Sequence, residues 1–240
     1  MNRLIDCITK NNSGNTPVWF MRQAGRYLPE FRKIRMKNPN FIKLCLNSEL
    51  SSEITLQPIK RFNLDAAIIF SDILMIPYAL GQNITFLKDE GPKLEKFNNK
   101  SFSSCSNKEF LNRLKPVYDA ISITRKKLDK KKSLISFVGA PWTLLVYMFE
   151  LKKNKEEINS KKIISEENNL RTIIEKLVHY ICLHIKNQIN AGADVVQIFD
   201  SWAGLIPKKY IKDYCLLPNA KIVEFCRKEN IHNICFPKGL

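Results

Sequence analysis

The chain has no apolar run long enough to cross a bilayer. Its longest nearly apolar stretch, Leu134 to Phe149, is sixteen residues long and is interrupted by Ser136, Gly139, Pro141 and Thr143. A helical span takes about 20 predominantly apolar residues. Met1 to Lys10 is too polar to hold the apolar region of a secretory signal. A soluble, cytoplasmic protein is therefore expected. No Cys-x-x-Cys occurs among the seven cysteines. An odd number of scattered thiols argues against a disulfide framework and for reduced, small core residues. His232 and Cys235 form a lone His-x-x-Cys in an apparent strand. Without a second pair nearby, no metal site is expected there. No Gly-x-Gly-x-x-Gly follows a strand and no Gly-x-x-x-x-Gly-Lys is present. Both common nucleotide-binding folds lose support for that reason.

Acidic charge is also scarce. The chain has 23 Asp+Glu against 39 Lys+Arg, a formal charge of +16. Such an excess suits nucleic acid, an anionic membrane or an acidic small substrate. The lysines, however, are dispersed through polar stretches such as Arg125 to Lys132 and Lys152 to Lys162. A nucleic-acid surface needs basic and aromatic residues gathered on one face. Solvated faces explain most of the charge, and neither a nucleic acid nor a membrane is an expected partner. Apolar residues make up 45% of the chain, enough for a substantial core.

Strand-like and helix-like patterns alternate. Buried strands are expected at Val18 to Met21, within Leu64 to Phe70, and at Leu134 to Val138, Val195 to Phe199 and Ile231 to Phe236. Helices are expected at Asn47 to Phe62 with Ser48 as N-cap, Lys108 to Lys132, Leu144 to Leu151 and Leu170 to Ile189 with Gly192 at its end. Pro207 to Leu217 and Asn219 to Lys228 read as two helices divided at Pro218. Pro77 to Pro92, with its Ile84 to Leu87 run, reads as a small hairpin or excursion rather than a helix. The alternation predicts a parallel sheet with helices outside, best matched by a (β/α)8 TIM-like barrel. Five strong strands cannot close an eight-stranded barrel. Either the sequence is a fragment, or the chain is truncated, or the sheet is open; the expectation is one domain, residues 1–240, with a barrel incomplete at the C-terminus.

Such folds place ligands at the C-terminal ends of strands. Four features fall there: Arg22 with Arg26, then Asp72, Tyr147 and Ser201. Arg22 and Arg26 repel each other unless an anion lies between them. A guanidinium pairs bidentately with carboxylate or phosphate and keeps its charge. Gly25 between them permits a tight or left-handed turn. Each feature has a plainer reading: a solvated basic turn, a helix N-cap at Asp72, a core tyrosine, an ordinary cap at Ser201. His179 and His184 ride an amphipathic helix and read as structural.

The strings that carry these residues resemble the uroporphyrinogen decarboxylase family. They are Pro17 to Tyr27 with its Arg-Gln-Ala-Gly-Arg, LDAAIIFSDIL from Leu64, GAPWTL from Gly139 with Tyr147 behind it, DSWAG from Asp200, and FPKG from Phe236. The resemblance implies a distorted (β/α)8 barrel, a homodimer, and no cofactor or metal. It implies removal of carbon dioxide from the four acetates of uroporphyrinogen III, giving coproporphyrinogen III for haem and other tetrapyrroles. By the same likeness Arg22, Gln23, Ala24, Gly25 and Arg26 bind substrate, and Asp72 faces the pyrrole N–H groups. Tyr147 and Ser201 complete the contacts, Arg35 matches a further basic position, and Arg22 and Asp72 are catalytic.

The chain departs from the family in two places. Glycines usually follow the tyrosine, where this chain has Phe149-Glu150-Leu151-Lys152-Lys153. The family's Gly-His-Gly lies beyond Gly239, and none of His179, His184 or His232 replaces it. Two other readings stand beside this one: a truncated inactive relative, and a corrinoid-linked methyltransferase of the same superfamily with zinc held by His and Cys. The absence of a His-x-Cys set and the intact Arg-Gln-Ala-Gly-Arg oppose the latter.

Overall fold

A computed structural model describes residues 2–9, 15–87, 91–152, 154 and 157–240. Among these are strands β1 (Ala66–Ile68), β2 (Ile84–Leu87), β3 (Gly91–Leu94), β4 (Ser133–Gly139), β5 (Val195–Asp200) and β6 (His232–Pro237). One sheet has the order β1-β4-β5-β6, and β2 and β3 form a separate antiparallel pair. β1 runs parallel to β4 in the register Ala66 to Ser133, Ala67 to Leu134 and Ile68 to Ile135. Strands separated by helices and laid down in sequence order make an α/β fold with a parallel sheet. The β2–β3 pair is the hairpin expected around Ile84 to Leu87, but Pro77 to Ala79, expected not to be helical, end the short helix Met75–Ala79.

The chain divides into two compact units. The first comprises Met1–Asp72, Leu114–Phe137 and Ile185–Val196. Within it β1 is wholly buried. The helix Ser48–Arg61 is tied to the end of β1 by Thr55, whose hydroxyl donates to the Ser51 carbonyl at 2.6 Å and accepts the Phe70 N–H at 2.8 Å. The cap of this helix is Asn47, whose side chain accepts the Leu50 N–H, and not Ser48. The Ser48 hydroxyl instead reaches the Pro116 carbonyl at 2.8 Å. An Asx side chain one residue earlier caps the helix and leaves the serine for a tertiary bond.

Val18 to Met21 is not a buried strand. Val18, Phe20 and Met21 are 47%, 59% and 42% exposed. Val18 bonds twice to Asp65, its N–H to the carboxylate at 2.8 Å and its carbonyl to the N–H at 2.9 Å. The run then turns away, with the Phe20 N–H donating to Gln23 Oε1 at 3.1 Å. An apolar run without an opposing layer has nothing to bury against. The described sheet therefore holds four of the five expected strands.

The second unit comprises Ile73–Arg113, Val138–His184 and Gln197–Leu240. The helix Pro141–Met148 begins on a proline, where no N–H is required, and is buried along almost its whole length. It starts three residues before the expected Leu144. Pro218 likewise lies in the first turn of Leu217–Lys228 and does not divide two helices. The residues before it, Ala203–Leu205, Lys208–Tyr210 and Ile211–Leu216, form 3-10 and π turns. Among the cysteines, Cys45, Cys105, Cys215 and Cys226 are buried, and Cys7 and Cys235 are exposed.

Candidate functional site

In the first unit the arginine segment is a loop of turns following Val18 to Phe20. The Gln23 side chain is buried inside it, and the Gln23 backbone carbonyl accepts from the Tyr27 hydroxyl. The Leu28 N–H closes the turn on the Gly25 carbonyl at 3.0 Å. Gly25 is outside the left-handed region, and a Cβ there would meet the Tyr27 ring at an ordinary 3.6 Å. Of the two conformations expected at Gly25, the tight turn is the one present, not the left-handed one.

This internal bonding leaves Arg22 and Arg26 exposed. Among the described residues neither has a carboxylate within ion-pair distance. Neighbouring arginines are engaged: Arg61 pairs with Glu30 at 2.7 Å, and Arg32 donates to the Arg26 carbonyl at 2.8 Å. Two unneutralised guanidiniums on one short loop suit an anionic ligand. A second polar group there has no bond. Gln23 Nε2 is a buried donor without a partner among the described residues.

The loop and the end of β1 share one core. Ala24 and Phe70 both pack against Leu28, Phe31, Leu44 and Ile54. Phe70 meets the rings of Phe31 and Phe41, each at 5.8 Å. Asp72 lies two residues further on and is half-buried. The Arg35 guanidinium stands over the Phe41 ring at 5.7 Å and donates to the Asn38 carbonyl at 2.5 Å. Cys45 reports on this neighbourhood. Burial pushes its thiol well above the ordinary value, the charge of Asp72 adds to that, and Arg35 opposes it. Asp72 and Arg35 therefore both lie within electrostatic reach of Cys45, which sequence reading left among the core thiols.

In the second unit Tyr147 and Ser201 both adjoin Trp202, the first by ring contact and the second along the chain. The Tyr147 ring meets the Trp202 ring edge-on at 6.0 Å. Ser201 is half-buried and follows Asp200 at the end of β5. Asp200 is the centre of the arrangement and is 1% exposed. Its carboxylate accepts from the Thr143 hydroxyl at 2.7 Å, the Asn219 amide at 3.0 Å and the Cys215 thiol at 3.2 Å. Burial, then the charge of Asp200, pushes the Cys215 thiol up to about 12. It is a hydrogen-bond donor, not a nucleophile.

Trp202 is held at both ends of its peptide. Its N–H donates to Thr143 Oγ1 at 3.2 Å, and its carbonyl accepts from Trp142 Nε1 at 3.0 Å. The DSWAG and FPKG strings lock together as well. The Lys238 N–H bonds to the Asp200 carbonyl at 3.1 Å, and the Gly204 N–H to the Lys238 carbonyl at 2.8 Å. A Cβ on Gly204 would come within 2.9 Å of Gly239 Cα, so only glycine fits. Gly139 is less tightly constrained, since a Cβ there would sit 2.7 Å from Leu144 Cδ2, the tip of a side chain, and 3.1 Å from Ile73 Cβ. Within the second unit, GAPWTL, DSWAG and FPKG are thus joined by hydrogen bonds. Thr143 and Asp200 were not singled out there, and a lone hydroxyl in an apolar helix gives no signal by itself. Among the described residues no three His, Cys, Asp or Glu side chains gather as a metal site would require.

The family described as uroporphyrinogen decarboxylase (URO-D) matches residues 1–240. A protein named uroporphyrinogen decarboxylase from Orientia tsutsugamushi (strain Ikeda) is 43% identical over 243 residues, which cover 100% of this chain and 70% of that protein. Proteins of the same name from Rickettsia bellii (strain RML369-C) and Campylobacter hominis are each 41% identical, covering 98% of this chain and 70% and 71% of their own length. Among solved structures, a methyltransferase from Methanosarcina mazei superposes with a TM-score of 0.76 at 17% identity, covering 97% of this chain and 68% of its own. That likeness concerns the fold alone. The match along the whole chain and the identities above 40% place it: the chain belongs to the uroporphyrinogen decarboxylase family.

Proposed function

We propose that the chain decarboxylates the four acetate side chains of uroporphyrinogen III to give coproporphyrinogen III, without a cofactor. The observation that carries this reading is the arginine loop. In a chain whose residues 1–240 match the family, Arg22 and Arg26 are exposed without carboxylate partners among the described residues, on a loop that shares its core with the strand end leading to Asp72.

A carboxylate-rich macrocycle suits that loop. Arg22 and Arg26 neutralise and orient substrate carboxylates, with the backbone of Gln23, Ala24 and Gly25 shaping the turn. Asp72 faces the pyrrole N–H groups. Tyr147 and Ser201 make further contacts, and Arg22 and Asp72 act in the chemistry. Protonation of a pyrrole ring carbon creates a cation. The bond between the acetate carboxyl and its methylene then breaks, carbon dioxide leaves, and the electron pair neutralises the ring. A proton added at the methylene makes the methyl group, and loss of the ring proton restores the pyrrole. An ionised Asp72 beneath the ring stabilises the cationic stage. An arginine is a weak general acid, since its pKa exceeds ~12. Arg22 therefore serves this reaction by charge and by ordering water.

Under this reading residues 1–240 belong to one (β/α)8 barrel domain that works in the cytoplasm as a homodimer. No helix among the described residues is long and apolar enough to cross a membrane. The corrinoid methyltransferase reading rests on fold likeness alone. Anaerobic incubation with uroporphyrinogen III, followed by separation of the oxidised porphyrins, tests the proposal. Successive seven-, six-, five- and four-carboxylate products are expected, and no loss of carboxylates would overturn it.

A further inference from the structure

The Thr143 hydroxyl has one hydrogen, and the structure shows where it goes. At 2.7 Å from a buried carboxylate oxygen it is donated to Asp200. The oxygen lone pairs remain free, and one of them accepts the Trp202 N–H at 3.2 Å. The bond to Asp200 thus fixes the direction of the bond to Trp202. Asn219 and Cys215 hold the other carboxylate oxygen, so Asp200 itself cannot turn. Trp142 grips the Trp202 carbonyl from the same helix, Pro141–Met148.

Two substrate-contact residues of the proposed function depend on this clamp. Ser201 lies between Asp200 and Trp202, both anchored. Tyr147 lies one helical turn beyond Thr143 and rests against the Trp202 ring at 6.0 Å. We propose that Thr143, oriented by the buried Asp200, is a positioning residue that sets Ser201 and Tyr147 for substrate through the Trp202 peptide. The inference rests on the proposed function for the substrate contacts, and its geometry stands on the clamp alone.

Thr143→Val keeps the shape and removes the hydroxyl, and Thr143→Ser keeps the hydroxyl. For Thr143→Val the expected result is a KM for uroporphyrinogen III raised about tenfold with kcat little changed, since a displaced contact weakens binding. Thr143→Ser should restore most of the loss. A packing role predicts the opposite pattern, less active protein at an unchanged KM, with serine no better than valine. The near-ultraviolet circular dichroism of the tryptophans gives a readout independent of activity. It should change in Thr143→Val and return in Thr143→Ser, because the bond at issue holds Trp202. If the wild-type chain does not decarboxylate uroporphyrinogen III, the proposed function fails, and the spectrum alone then decides the clamp. A valine variant with wild-type KM, or with a wild-type spectrum, overturns the inference. Should Thr143→Val not fold, Trp142→Phe removes the other bond to the Trp202 peptide. The same rise in KM is expected of it, and an unchanged KM overturns the inference equally.

Discussion

Arg125 and Asp194 are joined at 2.9 Å, and the same Asp194 oxygen accepts the Leu134 N–H at 2.7 Å. Arg125 also donates to the carbonyls of Leu128, Asp129 and Lys132. One carboxylate therefore ties the end of the helix Asn107–Lys127, the start of β4 and the approach to β5. The side chains are 22% and 31% exposed, so solvent weakens the pair only partly. Asp194→Ala strands a guanidinium and a strand N–H. It should cost about 2–3 kcal/mol, and Asp194→Asn about 1 kcal/mol, because an amide oxygen still accepts both bonds without charge. Urea unfolding measures both. Equal losses in the two variants would mean that the charge contributes and the hydrogen bonds do not.

Gly192 lies beneath the same arginine. Its φ is +113°, and a Cβ there would stand 3.0 Å from Arg125 Cγ. Gly91, at φ +87°, has nothing within 4 Å of its missing Cβ. The two positions separate backbone strain from crowding. Gly91→Ala should cost about 1 kcal/mol from backbone alone. Gly192→Ala should cost about 1 kcal/mol more, since Arg125 must shift or lose bonds. Urea midpoints compare them, and a Gly192→Ala loss no larger than that of Gly91→Ala would show that Arg125 yields freely.

The parts of this fold that could be read from the sequence were those with short-range causes. β4 and β5 are apolar runs bounded by polar turns, and burial on both faces makes such runs. The β2–β3 hairpin follows from its glycine and its short apolar run. Val18 to Met21 carries the same kind of apolar signal, but whether an apolar run is covered depends on the rest of the chain. Asn47 against Ser48 was a choice between two good caps, settled by a carbonyl far along the chain at Pro116. In the first unit, Arg22, Arg26 and Asp72 drew notice as charges beside apolar runs, although the run before the arginines is no strand. The Thr143–Asp200–Trp202 clamp did not, because it joins residues nearly sixty positions apart.

His184 makes stability depend on acid. It is 4% exposed on the helix Glu167–Asn190, edge-on to Phe110 at 6.3 Å, and burial lowers its pKa from 6.5 to about 3. The native state holds it neutral, whereas the unfolded chain takes up a proton below pH ~6.5. Between these values the unfolded state binds more protons, so stability falls as pH falls. One such group contributes a slope of up to about 1.4 kcal/mol per pH unit. His184→Met, similar in volume and unable to titrate, should remove that part of the slope between pH 6 and 4. Unfolding midpoints across this range check it, and parallel curves for the two proteins would assign the acid sensitivity to other groups.

Arg26 and Asp72 should fail in different ways. Arg26 is exposed on its loop, and in the proposed reading it holds a substrate carboxylate at all stages of the reaction. A contact made equally in ground and transition states affects KM, not kcat. Arg26→Ala should therefore raise KM about tenfold at a nearly constant kcat. Arg26→Lys should recover only part of this, since an ammonium cannot make the paired bonds of a guanidinium. Asp72 carries a charge needed only when the ring becomes cationic. Asp72→Asn keeps the shape and hydrogen-bonding capacity and should lower kcat by about 10²–10³ while the fold is retained. Anaerobic kinetics with uroporphyrinogen III separate the two. A rise in KM alone for Asp72→Asn would make that carboxylate a binding group and move the stabilisation of the cation elsewhere. An unchanged KM for Arg26→Ala would leave the substrate's carboxylates to Arg22 and to the buried Gln23 Nε2, which has no partner among the described residues.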